Sequence, residues 1–149
     1  MAQYCTFRVS DLFFGVEVEQ VQEVLRFQRM TRVPLASDVV RGLINLRGEI
    51  VTAVDLRRRL ELADRAEDEL PMNVVIRGSE GAVSFLVDDI GDVLEVAEDV
   101  FEEPPVTLSG VTRGLVRSIC KLQDELLLIL DTNEATQFHH PPEGQRSES

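Results

Sequence analysis

The segment Gly42-Leu-Ile-Asn-Leu-Arg-Gly-Glu-Ile-Val-Thr-Ala-Val-Asp-Leu56 restricts the possible folds more than any other part of the chain. Two apolar runs flank an Arg47-Gly48 step, the pattern of two short strands joined by a tight hairpin turn. Short paired strands of this kind build small β-barrels. A weaker echo follows at Gly114-Leu-Val … Leu127-Leu-Ile-Leu-Asp131. A second alignment places Val16, Val21 and Leu25 against Phe85, Ile90 and Leu94, each 69 residues later (85 − 16, 90 − 21, 94 − 25). The order of elements matches too, so the chain reads as a duplicated five-strand unit. The late hairpin aligns at 72 on its first glycine (114 − 42) and at 76 on its aspartate (131 − 55), which predicts a turn about four residues longer in the second copy.

The remaining elements fall between these. Tyr4–Val9 alternates up to a Ser10-Asp11 turn, and Phe13–Val18 resumes, giving an opening hairpin. Val21, Val24 and Leu25 suit either a helical turn or a strand. Ser37-Asp38 can cap a helical turn ahead of Gly42. Residues 56–62 predict an Arg-rich helical turn, and the polar stretch 63–71 reads as the junction between halves. Residues 73–77 and 82–87 form a further hairpin around Gly78–Gly81, and 90–96 follows. Residues 98–110, rich in acids and proline, read as a long loop, and 133–138 as a short helix. The expected architecture is all-β: two small five-stranded barrels, one spanning about 14–66 with exchange of a terminal strand and the other about 67–138. Residues 139–149 read as a flexible polar tail.

Charge separates the halves. Residues 1–66 hold ten Lys/Arg and nine Asp/Glu, net +1, while 67–149 hold five and eighteen, net −13, so the net −12 comes entirely from the second half. An acidic surface repels phosphate backbones and disfavours nucleic-acid binding. The arginines of the first half can still present a local basic face to an acidic protein. The chain opens directly on a strand pattern without a leader, and no apolar run reaches the roughly 18 residues of a membrane span. The reading is a cytoplasmic protein with no membrane insertion. Cys5 and Cys120 lie in alternating apolar runs and are expected as buried free thiols.

Candidates for chemistry are few. His139 and His140 are adjacent in the polar tail and cannot pair on one metal by themselves. Asp88-Asp89 precedes Gly91 and reads as turn chemistry rather than a carboxylate dyad. Asp131-Thr-Asn133 lacks the glycine of an aspartic-protease loop, and the nine glycines form no phosphate loop. A small hydrolase using Asp88, Asp89 or Asp131 is the remote alternative. No cofactor or metal is expected. What remains is a binding surface. Glu23 stands within the apolar run Val21, Val24, Leu25, and Arg47 stands at the hairpin tip. A charge among apolar neighbours is exposed or paired. If these two meet, they either orient an interface patch or form an ordinary surface ion pair.

These residues resemble the CheW family of chemotaxis coupling proteins. The resemblance is carried by Gln3-Tyr-Cys-Thr-Phe-Arg-Val9, Phe14-Gly-Val-Glu-Val18, Val21-Gln-Glu-Val-Leu25, Thr31-Arg-Val-Pro34, Val40-Arg-Gly-Leu-Ile-Asn-Leu-Arg-Gly48, Val54-Asp-Leu-Arg57, Val87-Asp-Asp-Ile-Gly-Asp-Val93 and Leu127-Leu-Ile-Leu-Asp131, in family order over residues 3 to about 135. It implies two SH3-like five-stranded barrels packed around a shared hydrophobic core, and no catalysis. It implies an adaptor joining the regulatory domain of a CheA-like histidine kinase to the cytoplasmic tips of methyl-accepting chemotaxis receptors. The alternative is a kinase-only regulator in a motility, pilus or other system. The receptor tip is expected in a groove between the barrels. Glu23 and Arg47 would match the family's polar pair, with Val21, Val24 and Leu25 beside it, Gly48 the turn glycine, and Val87, Ile90 and Val93 lining the groove from the second half. Thr52 departs from a frequent family proline, and the last hairpin reads as longer than usual.

Overall fold

A computed structural model describes residues 1–137; the expected polar tail, with His139 and His140, lies outside the described residues. Eleven strands and three short helices follow in order: β1 (Ala2–Val9), β2 (Leu12–Glu17), β3 (Val21–Leu25), β4 (Val40–Leu46), β5 (Glu49–Asp55), α1 (Leu56–Arg59), β6 (Met72–Gly78), β7 (Gly81–Val87), β8 (Asp89–Val96), β9 (Phe101–Glu102), α2 (Gly110–Leu115), β10 (Val116–Lys121), β11 (Leu126–Leu130) and α3 (Thr132–Ala135). The ambiguous run at Val21 is a strand. No helix forms at Ser37-Asp38, where a turn bonds the Val40 amide to the Ser37 carbonyl. The stretch 98–110 holds a 3-10 turn, the short β9 and the start of α2.

The strands form two sheets, β8-β1-β2-β11-β10-β9 and β3-β6-β7-β5-β4. The duplication is visible in the register. Tyr4 faces Glu17 in β1–β2 and Asn73 faces Leu86 in β6–β7, each partner 69 residues later (73 − 4, 86 − 17). Val40 faces Val54 in β4–β5 and Val116 faces Leu130 in β10–β11, each 76 later (116 − 40, 130 − 54). Even the irregularities repeat: β4 shifts register between Val40 and Gly42, β10 between Val116 and Ser118. The parallel pairings of β5 with β7 and of β11 with β2 also correspond. The expected longer turn in the second hairpin is therefore corrected. At its tip Asn45 faces Ile50 and Lys121 faces Leu126, so both hairpins have one length. The extra residues lie earlier, between β8 and β10, a stretch that includes α2; β9, which pairs with Ile119, answers the bridge of Thr31 to Leu43 in the first repeat.

The repeats exchange their opening hairpins. One sheet takes β1 and β2 from the first repeat and β8, β9, β10 and β11 from the second; the other takes β6 and β7 from the second and β3, β4 and β5 from the first. The chain changes sheet twice, at Val18–Gln20 between β2 and β3 and at Asp88 between β7 and β8; the polar stretch 63–71 separates the two repeats but lies within one sheet.

Both faces of the central strands are buried, which explains their continuous apolar runs. Leu127 and Ile129 of β11 pack with Tyr4, Phe13, Val96 and Cys120 inside the first barrel. Leu128 and Leu130 turn the other way, into a layer shared with Phe7, Phe14 and Val16 and with Val54, Val74, Ile76 and Phe85 of the second barrel. Val51, Ala53, Val75 and Leu86 fill the second interior with Ile44 and Leu46. Alternation along each strand thus serves two cores rather than a core and solvent. Cys120 is buried and Cys5 half-buried, both as free thiols, and burial pushes both upward in pKa.

The crossing at Asp88 is held by charge. Its carboxylate accepts from Arg57 (Nη2 at 2.7 Å), from Arg65 (Nη2 at 3.0 Å) and from the Ser10 amide. Arg65, nearly buried, also reaches Asp55, which Arg41 pairs from the other side at 3.0 Å. Asp55 in turn caps α1 through the Arg57 amide. Burial pushes the Asp88 carboxyl upward, but the bonds from Arg57, Ser10 and Arg65 outweigh it and hold the pKa at about 2. Because this value lies below the ordinary carboxylate range, the stabilisation is complete above about pH 4 and is lost as pH falls towards 2. Allowing for the partial exposure of the group, it amounts to about 1 kcal/mol. Asp88→Asn is expected to cost about 2–3 kcal/mol in urea unfolding at neutral pH, since it strands two guanidinium groups. It should also flatten the loss of stability between pH 4 and 2; an acid limb as steep as the wild type's would remove Asp88 from this role.

Candidate protein-docking site

The tip of the β4–β5 hairpin is built for presentation. Arg47 and Gly48 both adopt left-handed backbone, at φ of 53° and 91°. Glycine accepts this readily; arginine does so at a cost of about 1 kcal/mol. The Asn45 side chain steadies the turn by accepting from the Gly48 amide at 2.9 Å. Arg47 donates through Nη1 to Glu23 Oε2 at 2.8 Å, and its side chain remains 79% exposed against 16% for Glu23.

This ion pair joins opposite margins of one sheet. Glu23 lies on β3 at one edge, and Arg47 ends β4 at the other. Leu25 and Met30 pack beneath against the cluster containing Ile44 and Leu46, so the pair sits over the closure of the second barrel. The outer edge of β4 is covered by Thr31, which exchanges two backbone hydrogen bonds with Leu43 at 2.9 and 2.8 Å. Gly42 permits this approach, because a Cβ there would stand 2.6 Å from the Thr31 carbonyl oxygen.

The other expected contact residues separate into surface and core. Val24 is exposed beside Glu23, while Val21 and Leu25 are half-buried. Val93 is exposed on β8, at the edge of the first sheet. Ile90 and Val21 both pack at the margin of the inter-barrel layer. Val87 is a correction: it is fully buried within that layer and offers nothing to a partner. It ends β7 with its side chain on the same face as Val83 and Phe85. The period-two pattern carries this signal, and adjacency to the turn at Asp88 obscures it.

The carboxylates weighed for hydrolysis have structural work. Asp88 is held by two arginines. Asp131 caps α3 by accepting from the Glu134 amide. Asp89 accepts from the Ile90 amide. No group of three or more His, Cys, Asp or Glu among the described residues could hold a metal ion, and no described helix is long and apolar enough to cross a membrane. Sequence reasoning misses Arg41 and Arg65, whose role needs the three-dimensional convergence of Asp55 and Asp88.

The family model described as the CheW-like domain matches residues 3–138. The chain belongs to the CheW family. Among curated CheW proteins, the chemotaxis protein CheW of Bacillus subtilis (strain 168) is 32% identical over 127 residues, covering 85% of this chain and 81% of that protein. The Thermotoga maritima chemotaxis protein CheW is 28% identical over 141 residues, covering 93% and 90%. The crystal structure of the scaffolding protein TtCheW from Thermoanaerobacter tengcongensis superposes with a TM-score of 0.82 over 93% of this chain and 94% of that one, at 22% identity, which establishes the fold. Within this CheW framework, the two valines make a clean contrast. Val87→Lys is expected to unfold the protein, since an unpaired ammonium in the shared layer costs more than about 4 kcal/mol. Val93→Lys should shift unfolding by less than about 0.5 kcal/mol. Circular dichroism melts of both variants decide the assignment.

Proposed function

We propose that this CheW-family chain is a non-catalytic adaptor that couples a CheA-like histidine kinase to chemoreceptors in a chemotaxis signalling complex. The observation that carries the reading is the family match from residue 3 to 138, which spans both barrels and includes Glu23 and Arg47. The geometry supports it. A strained arginine held outward at a hairpin tip, paired across a barrel closure and flanked by exposed Val24, has the anatomy of an interface core rather than of a reaction centre. The Arg47 backbone cost persists only where something compensates it, and partner binding would do so.

In this reading the receptor tip engages Glu23, Arg47, Gly48 and the aliphatic surface of Val21, Val24 and Leu25. Ile90 and Val93 offer surface from the first barrel. The protein works in the cytoplasm, recruited to receptor arrays through these contacts. Arg47→Glu places a like charge against Glu23, and is expected to weaken receptor pull-down at least tenfold, about 1.4 kcal/mol. The fold should survive, because exposed charge changes cost about 1 kcal/mol or less. Co-sedimentation with receptor-containing membranes, run with and without the kinase, provides the check. Wild-type protein that binds the kinase but never pellets with receptor would instead make it a kinase-only regulator. Undiminished receptor pull-down by Arg47→Glu would reject the site.

A further inference from the structure

Residues 26–39 join β3 to β4 and are fixed in place without regular structure. Thr31 bridges Leu43, and Met30 packs on the interior cluster of the second barrel. The Ala36 amide donates to the Val33 carbonyl and the Val40 amide to that of Ser37. Beside this loop lies a cleft of about 850 Å³. Arg29 and Arg32 line it from the loop, Arg41 from β4 and Arg58 from α1, with apolar surface from Phe27, Val33 and Leu35.

The four cations are in two states. Arg41 Nη1 donates to Asp55 Oδ2 at 3.0 Å. Arg58 donates to both oxygens of Asp64 and to the Asp38 carbonyl. A guanidinium has five N–H groups, so each keeps donors beyond these bonds. Among the described residues, no hydrogen bond or ion pair engages the side chain of Arg29 or Arg32. Asp38 is the one carboxylate that lines the cleft. With Asp55 and Asp64 compensating Arg41 and Arg58, two uncompensated guanidinium groups face one carboxylate, on a chain of net charge −12.

The fold does not impose this charge. Thr31 faces Leu43, and Glu102 faces Ile119, so the loop recurs 71 residues later (102 − 31). On that offset Leu35 corresponds to Val106, and both are bare, at 99% and 87% exposed. Arg32 corresponds to Glu103 (103 − 32 = 71). Residues 26–41 hold four arginines and one aspartate, whereas 97–117 hold four acids and two arginines. The apolar tip is thus common to both copies, and the basic cleft belongs to the first alone. Leu35 also holds a left-handed backbone at φ of 64°, at a cost of about 1 kcal/mol that its exposed side chain does not offset by packing.

We propose that this cleft binds a small phosphate-bearing anion with an apolar portion. The phosphate would sit between Arg29 and Arg32 and accept from the remaining N–H groups of Arg41 and Arg58. The apolar portion would lie on Phe27, Val33 and Leu35. A phosphate monoester suits the site better than a carboxylate. It carries a charge of about −1.5 to −2 at neutral pH and three acceptor oxygens, which planar guanidinium groups meet two bonds at a time. The inference goes beyond the adaptor reading and stands apart from it, since the cleft includes neither Glu23 nor Arg47.

Calorimetry on the full chain tests it with inorganic phosphate, phenyl phosphate and phenol. Phenyl phosphate is expected to bind at least about threefold tighter than inorganic phosphate, and phenol to give no binding. High salt should weaken both phosphates. The double variant Arg29→Ala, Arg32→Ala should weaken phenyl phosphate at least about tenfold and leave the thermal melt unchanged. Asp38→Asn removes the opposing charge and should tighten binding about twofold. Phe27→Ala should erase the advantage of phenyl phosphate over inorganic phosphate. Sedimentation with phosphatidylglycerol vesicles, against phosphatidylcholine vesicles, identifies the source. Selective pelleting that the double variant loses marks a lipid headgroup, and phenyl phosphate binding without pelleting marks a soluble phosphate; both support the site. Wild-type protein that fails to bind phenyl phosphate would overturn the inference, as would binding that the double variant leaves unchanged.

Discussion

Phe7, Phe14 and Val16 of the first barrel meet Val54, Val74, Ile76 and Phe85 of the second in one apolar layer, and the rest of the molecule depends on it. A sheet closed on itself buries one face and leaves the other bare. Here the bare faces of two such sheets cover each other. Each central strand is therefore apolar at nearly every position, and each small barrel gains a core that its own interior could not supply. The layer also fixes what can be surface. Val87 is lost to it, while Val24 and Val93, on edge strands at either side, remain free.

Charge works where apolar packing cannot. The chain has to leave one sheet and enter the other, and a crossing exposes backbone that neither sheet satisfies. Asp88 stands at that step, with Arg57 and Arg65 closing on it and Asp55 and Arg41 extending the network. Arg65 comes from the polar stretch after α1, so a segment without regular structure is tied down by one nearly buried guanidinium. Its cation bridges two carboxylates, which is the arrangement that makes a buried arginine tolerable.

Much of this is legible in the residues. The Gly42–Leu56 hairpin, the alternation of Tyr4–Val9 and the duplication follow from periodicity and turn chemistry, and the cost of a lone charge among apolar neighbours singles out Glu23 as exposed or paired, without fixing Arg47 as its partner. Where sequence and structure part, the causes are physical. The stretch 63–71 does lie between the two repeats, but sheet membership is decided by which strands pair, and local sequence does not carry that. The second hairpin reads as longer when Gly114 is matched to Gly42; Gly114 in fact belongs to α2. Val87 reads as surface because it borders a turn, whereas its pleat direction sends it inward. Arg41 and Arg65 look like any exposed arginine until the fold brings Asp55 and Asp88 to them.

The exchange of opening hairpins bears on the order in which the protein can assemble as it is synthesised. Every strand of the second barrel lies between residues 21 and 87, so that barrel can close while the chain is still emerging. The first barrel cannot. Its β2 waits for β11, at residues 126–130, and its β1 waits for β8. The first strands made are thus among the last to be flanked on both sides, and Tyr4 and Phe13, whose packing partners include Cys120, Leu127 and Ile129, stay uncovered on that side of a lone hairpin until most of the polypeptide exists. Such distant pairing slows folding and lengthens exposure to misassembly. The exchange of hairpins therefore sets a long interval during translation in which the N-terminal hairpin is vulnerable.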